Sequence, residues 1–165
     1  MNNSKTKGLI ENLSISAPIK RFIAYLIDYA PILVIVFCIA YFSGFKEVLR
    51  QFLSESPFVY TDDYIIWKNH IQNISFLLYC IYASFMECTS HQGTFGKKIM
   101  GIKVVGLDGE KLSPIGSVKR NMFKFISYLP YSLGFIWALF DRNHRAWHDY
   151  FAKTIVVNRH VGSGG

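Results

Sequence analysis

Residues 20–42 read KRFIAYLIDYAPILVIVFCIAYF, and this stretch decides the fold class. From Phe22 to Phe42 the run holds 21 residues with one charged side chain, Asp28. At roughly 1.5 Å per residue it is long enough for a hydrocarbon layer of about 30 Å. We read it as a transmembrane helix, because a helix in a soluble core is rarely so long and so uniformly apolar. An ionised carboxylate at that depth costs roughly 2.5–3.5 kcal/mol, so Asp28 is expected to face protein or a wet cavity, with a partner or a proton. Arg21 lies two helical turns earlier on nearly the same face, about 10 Å away. Helical side chains lean toward the N-terminus, which is expected to carry Arg21 out to the headgroups and to leave Asp28 a partner from another segment. Pro31 removes a backbone donor and is expected to bend the helix just inside the acid.

Outward from this run, the chain of 165 residues has room for one domain, and its 51% hydrophobic content suits a small multi-pass membrane protein. The formal charge of +7 lies beside apolar segments and so points to a membrane surface rather than to nucleic acid. Residues 1–21 carry +3, residues 44–68 carry −1 and residues 87–124 carry +4. By the positive-inside rule the N-terminus and the loop after the second span are cytoplasmic. Residues 1–16 are expected to be a flexible cytoplasmic tail with an amphipathic stub around Leu9 to Ile15, residues 17–158 a single membrane domain, and residues 159–165 a disordered tail or linker. The run is too long for the apolar region of a signal peptide and no small-residue cleavage site follows it, so it is expected to stay in the mature protein. Pro18 opens the first helix where proline is tolerated.

Apolar residues at helical spacing in GFKEVLRQFLSES predict an amphipathic helix after the first span, lying on the outer surface or offering a docking face. NHIQNISFLLYCIYASFM, between Lys68 and Glu87, predicts a second span. GIKVVGL and KTIVV predict strands, and Asp108-Gly109 predicts a hairpin into the short EKLS. These pieces can pair only if they lie on one side of the membrane. FISYLPYSLGFIWALF, between Lys124 and Asp141, is short for a span and carries Pro130 and Gly134 near its middle. A re-entrant hairpin returning the C-terminus to the cytoplasm is preferred, with a third span as the alternative. Ser113-Pro114 reads as the cap and first turn of the helix that feeds it. The fold class is thus a mainly α membrane protein with two transmembrane helices, a third apolar segment and a small cytoplasmic β element.

For chemistry, Arg21, Asp28, Asp149 and Asp141 are the candidates for an intramembrane charged or proton site. Glu87 is expected to hold the two helices together through Arg21. Lys97, Lys98, Lys119, Arg120 and Lys124 are expected to meet anionic lipid headgroups. His144 and His148 lie four apart, but a mixed-charge helix at headgroup level is favoured over a metal pair. HQGTFGKK fails as a phosphate loop at His91 and Lys98. Cys38, Cys80 and Cys88 read as packing residues, and no metal, cofactor, disulfide or enzymatic constellation is expected.

The same residues resemble the RDD family of small bacterial membrane proteins, named for one arginine and two aspartates. RFIAYLID is similar to its opening pattern, with Arg21 and Asp28. GTFGKKIMGIKVVGLDG resembles its glycine-lysine loop and following strand. HRAWHDYFAKTIVV resembles its ending, with Asp149 as the better second aspartate and Asp141 as runner-up. Lys153 departs from the small residue expected there. The resemblance implies a bacterial inner-membrane location and a role in transport, with sodium–proton exchange suggested for some members. Two functions stand as expectations: transport of a cation or small solute coupled to protons through Asp28, or an accessory subunit without transport, docked to a larger membrane complex. Partners would be anionic lipids and a homo-oligomer or larger assembly.

Overall fold

The computed structural model describes residues 14–54, 62–128 and 133–159, apart from the side chains of 126–128 and 133–135. Most of the expected stub before Ile15, the break at Pro130 and the closing tail from residue 160 lie outside those residues. The described chain is mainly helical. In order it forms α1 (Pro18–Ala40), a π-helical turn (Tyr41–Phe45), α2 (Lys46–Ser54), α3 (Asp62–Glu87), α4 (Phe95–Ile99), β1 (Ile102–Gly106), α5 (Pro114–Tyr128), α6 (Leu133–Phe140), α7 (Trp147–Ala152) and β2 (Thr154–Asn158). The described residues fall into two compact units, Asp28–Tyr79 and the pair of segments Met1–Ile27 and Cys80–Gly165.

The helix expected from residues 20–42 is α1, and it runs through Pro31 without ending. Among the described residues, Pro18–Ser54 is the helical stretch long and apolar enough to cross a membrane. Its large side chains Phe22, Leu26, Val34, Ile35 and Ile39 point outward. A soluble core helix would bury them, so this exposure is that of a surface meeting lipid. The expected second span falls on α3, where Ile74, Leu78, Ile81 and Phe85 are likewise exposed.

In the Asp28–Tyr79 unit, Val36, Ala40, Phe45 and Ile71 form a core on which Val48, Leu49, Tyr64 and Trp67 pack. The chain turns at Gly44, whose φ of 126° is a conformation reserved in practice for glycine. Phe52 stacks on Tyr64 with ring centroids 4.2 Å apart. The apolar side of α2, expected to face an outer surface or a partner, is therefore partly covered by its own unit.

In the other unit, β1 and β2 pair antiparallel with Val104 opposite Val156. Alternation sends Ile102, Val104 and Val156 to one face with Ala24 and Leu112, and Val105, Ile155 and Val157 to the other. The far edge of β2 is taken by the residues before α1: Ile15 bridges Val157, and Ser16 N–H donates to the Val156 carbonyl at 3.0 Å. The expected hairpin after Asp108-Gly109 does not launch a strand. Gly106 N–H donates to the Glu110 carbonyl at 2.9 Å, closing a turn, and the edge of β1 that EKLS would need also receives the loop before α4, since Val104 N–H donates to the Gln92 carbonyl at 2.7 Å. Ser113 caps α5 as expected, its Oγ accepting from Gly116 N–H at 3.1 Å.

Lys153 sits at the left-handed end of α7, with φ 54° and ψ 48°. The departure from a small residue is thus a strained one. Lys153→Gly is expected to raise stability by roughly 0.5–1 kcal/mol and Lys153→Val to lower it by roughly 1–2 kcal/mol, read by thermal unfolding in detergent.

Candidate functional site

The site is built on α5. Ser117, Arg120, Asn121 and Lys124 recur at helical spacing and occupy one face, which is buried. Ile115, Val118 and Met122 lie on the other side and are exposed. This is the reverse of a helix on a soluble protein, and it aims the charges of α5 inward.

Arg120 is the centre of the cluster they meet. Its Nη1 donates to Glu87 Oε1 at 2.6 Å, and its Nε donates to Asp149 Oδ1 at 2.9 Å. Glu87, at the end of α3 and wholly buried, also accepts from Lys97 Nζ and from Asn121 Nδ2 at 3.1 Å. Asp149, 1% exposed, accepts from Arg21 Nη1 at 3.3 Å, from Ala146 N–H at 3.2 Å and from the Thr154 hydroxyl at 3.3 Å. Arg21 donates further to the carbonyls of His144 at 2.5 Å and Val156 at 3.1 Å. Lys124 Nζ donates to Asn121 Oδ1 at 2.5 Å. Nearby, Arg145 donates to the carbonyls of Thr154 and Asp149 at 3.1 and 3.2 Å. Such charges are tolerable inside a protein only when paired and hydrogen-bonded, and here each carboxylate has two cationic partners.

The electrostatics result from burial and pairing. Burial by itself would raise the Asp149 carboxyl, but Arg120 and Arg21 outweigh it and hold the group well below the usual carboxylate range. Burial lowers the Lys97 ammonium against the pull of Glu87. Burial also pushes His148 down to about 3, with the Asp149 carboxylate opposing and Arg120 and Lys124 assisting.

Several expected placements are corrected. Glu87 meets Lys97 and Arg120 rather than Arg21, because α4 and α5 bring those cations onto the end of α3. Arg21 turns inward to Asp149 and two carbonyls, which satisfy the guanidinium better than a solvated excursion. Lys97, Arg120 and Lys124 are buried, so they do not face the headgroup layer, whereas Lys98 and Lys119 are exposed. Asp141 caps the turn after α6, accepting from the backbone N–H of Asn143 and Arg145 at 3.1 and 2.8 Å and from the Tyr150 hydroxyl at 2.5 Å. His144 precedes α7 and holds the Ala138 carbonyl at 3.1 Å, while His148 stands beside Asp149, so the two do not share a helix face. Asp28 is buried in α1.

Asn121 and Arg145 were not expected in the site. The spacing of Ser117, Arg120, Asn121 and Lys124 was the available signal for Asn121: a polar stripe opposite an apolar one. In a lipid environment it is the polar stripe that turns inward.

The RDD family matches residues 15–153, from the bridge at Ile15 through Asp149 to the left-handed Lys153. This chain belongs to the RDD family. RDD proteins are membrane proteins, in keeping with the outward-facing apolar side chains of α1. The chain is 28% identical over 142 residues to "Uncharacterized protein YxaI" of Bacillus subtilis (strain 168), covering 83% of this chain and 93% of that protein. No solved structure matches. In this RDD chain the residues at Arg21 and Asp149 meet directly in the ion pair described above.

This geometry makes two outcomes testable. Arg120→Gln leaves Glu87 and Asp149 each short of a cation and is expected to cost about 3–5 kcal/mol, with strong coupling to Glu87→Gln in a double-mutant cycle. For pH, the folded state keeps His148 neutral down to about 3, whereas the unfolded chain takes up the proton near 6.5. The unfolded state therefore binds more protons in that window, and stability falls as the pH drops from about 6.5 toward 3. Asp149, held below its ordinary value, adds a further loss only below about pH 4. His148→Gln is expected to flatten the unfolding midpoint between pH 7 and 4.5 and to keep the acid loss.

Proposed function

We propose that this RDD protein is a non-enzymatic, multi-pass protein of the bacterial inner membrane that serves as a structural or assembly accessory. The observation that carries the reading is that Glu87 and Asp149 are each held by two cationic side chains. Carboxylates so held are spent on fixing the arrangement of α1, α3, α5 and α7, and they are poorly suited to trade a proton for a cation. Buried charge that specifies an arrangement suits a part that must present one shape to a larger assembly or to a second copy. A second reading, proton-coupled transport of a cation or small solute, is favoured by Asp28, a buried carboxylate within the apolar α1.

For topology, we propose that α1 and α3 span and that α5 and α6 re-enter. Supporting this, β2 pairs with β1 and with the residues before α1, so the chain ahead of the first span, the loop after the second and the C-terminal strand lie together. A single complete crossing between β1 and β2 would pull the sheet apart. Both termini then share the cytoplasmic side given by the positive-inside rule, with Lys98 and Lys119 near anionic headgroups.

A phosphatase fused after residue 158 is expected to be silent and a fluorescent protein fused there to be bright; the opposite pattern rejects re-entry. In proteoliposomes the wild-type chain is expected to show no cation-dependent proton flux, and Asp28→Asn to lower protein level or partner recovery. Flux that Asp28→Asn abolishes at matched folded protein would reject the accessory reading.

A further inference from the structure

The first half of α3 keeps four side chains without formal charge in one outward line. Ile66, His70, Asn73 and Leu77 follow one another at spacings of four, three and four, which on a helix of 3.6 residues per turn makes a single stripe. All four are exposed. Ile71, Ser75 and Tyr79, on the opposite side of the helix, are buried. The stripe therefore lies on the side of α3 that the Asp28–Tyr79 unit leaves uncovered. Two of its members, His70 and Asn73, carry hydrogen-bonding groups. Asn73 is the fifth residue of the uncharged run between Lys68 and Glu87, so it sits about 6 Å inside the end of that run. Lys68 has a stem long enough to reach water from the rim, whereas the short side chain of Asn73 does not. A carboxamide facing acyl chains is costly, and a partner helix that hydrogen-bonds it removes the cost.

We propose that this stripe is the contact between two copies of the chain, packed as a parallel pair of α3 helices. Spacings of four and three are those of the seam between two helices that cross at about 20°. Two copies inserted the same way in one membrane pair about a two-fold axis along the membrane normal, which sets each seam residue against its own counterpart. Asn73 then meets a second Asn73, and a carboxamide is self-complementary because it both donates and accepts. The imidazole of His70 has the same property. This position-by-position match is what favours a second copy over a different subunit. The seam residues bring no formal charge to the contact, and Asp62 and Asp63 precede it by a turn, toward the water, where salt screens them. The inference rests on the proposed spanning of α3 and names the second copy as partner. It holds for the accessory and for the transport reading alike.

The test reads energy transfer between full chains that carry a donor or an acceptor fluorescent protein after residue 165, in vesicles of phosphatidylethanolamine and phosphatidylglycerol over a range of protein-to-lipid ratios. Wild type is expected to follow a monomer–dimer curve. Asn73→Val, which removes the carboxamide, is expected to weaken the pair about 10-fold, and Asn73→Gln, which keeps one, to stay within about 3-fold of wild type. Leu78→Ala, at an exposed position of α3 off the seam, is expected to leave the curve unchanged. Because Asn73 is exposed, its variants are expected to unfold at the wild-type temperature in dilute detergent, so that a loss of transfer reports pairing rather than folding. A wild type that stays monomeric across the range overturns the second copy as occupant. A dimer that Asn73→Val leaves as tight as wild type, or that Leu78→Ala weakens as much, overturns the seam. The premise is read separately, by a phosphatase expected to be active when fused after residue 54 and silent when fused after residue 90. Any other pattern rejects a spanning α3 and the inference with it, whereas the expected pattern without a dimer overturns the inference alone.

Discussion

Arg120 places one guanidinium between two carboxylates that have no other escape from burial. Glu87 ends α3, and Asp149 stands in the last short helix before β2, so this single side chain ties segments more than sixty residues apart in sequence. The remaining polar groups take their positions from that bridge. Lys97 and Asn121 complete Glu87, and Arg21 and Thr154 complete Asp149. The pairing does not add stability cheaply, because desolvating each ion costs several kcal/mol before attraction repays it. Its effect is to penalise other arrangements, since any packing that separates Arg120 from either acid leaves that acid one cation short in a dry interior.

The inverted polarity of α5 and the outward apolar surfaces of α1 and α3 belong to the same physics. In water the hydrophobic effect would collapse Phe22, Leu26, Ile81 and Met122 into a core. In lipid that drive is absent between helices, and the polar groups become the ones that must find partners inside. A charged interior and an apolar exterior are therefore one solution. The small sheet is a different case, since its residues pack as a conventional apolar layer on both faces of β2.

The acids of this RDD protein accordingly divide by environment. Glu87 and Asp149 are committed to cations, and Asp141 is committed to a turn and the Tyr150 hydroxyl. Asp28 is a buried acid within the apolar α1. The proposal of an accessory role rests on the first group, and the transport reading rests on Asp28.

The long apolar helix α1, the strands at Ile102 and Thr154 and the cap at Ser113 were legible in the amino-acid order, because each depends on local composition or periodicity; Lys153 stood out only through the family resemblance. The family was legible too, through short motifs around Arg21, Gly96 and Asp149. Which cation meets which acid was not. Glu87 and Lys97 are ten residues apart across a loop, Arg120 and Asp149 are twenty-nine apart, and nothing in either spacing names a partner. Lys97, Arg120 and Lys124 looked like surface charges because long basic side chains can reach water from almost any helix end. Whether they do so depends on what the rest of the chain brings to the same place. Here, only the tertiary structure brought Glu87 and Asp149 there, and ion pairs out of water hold Lys97 and Arg120 inward.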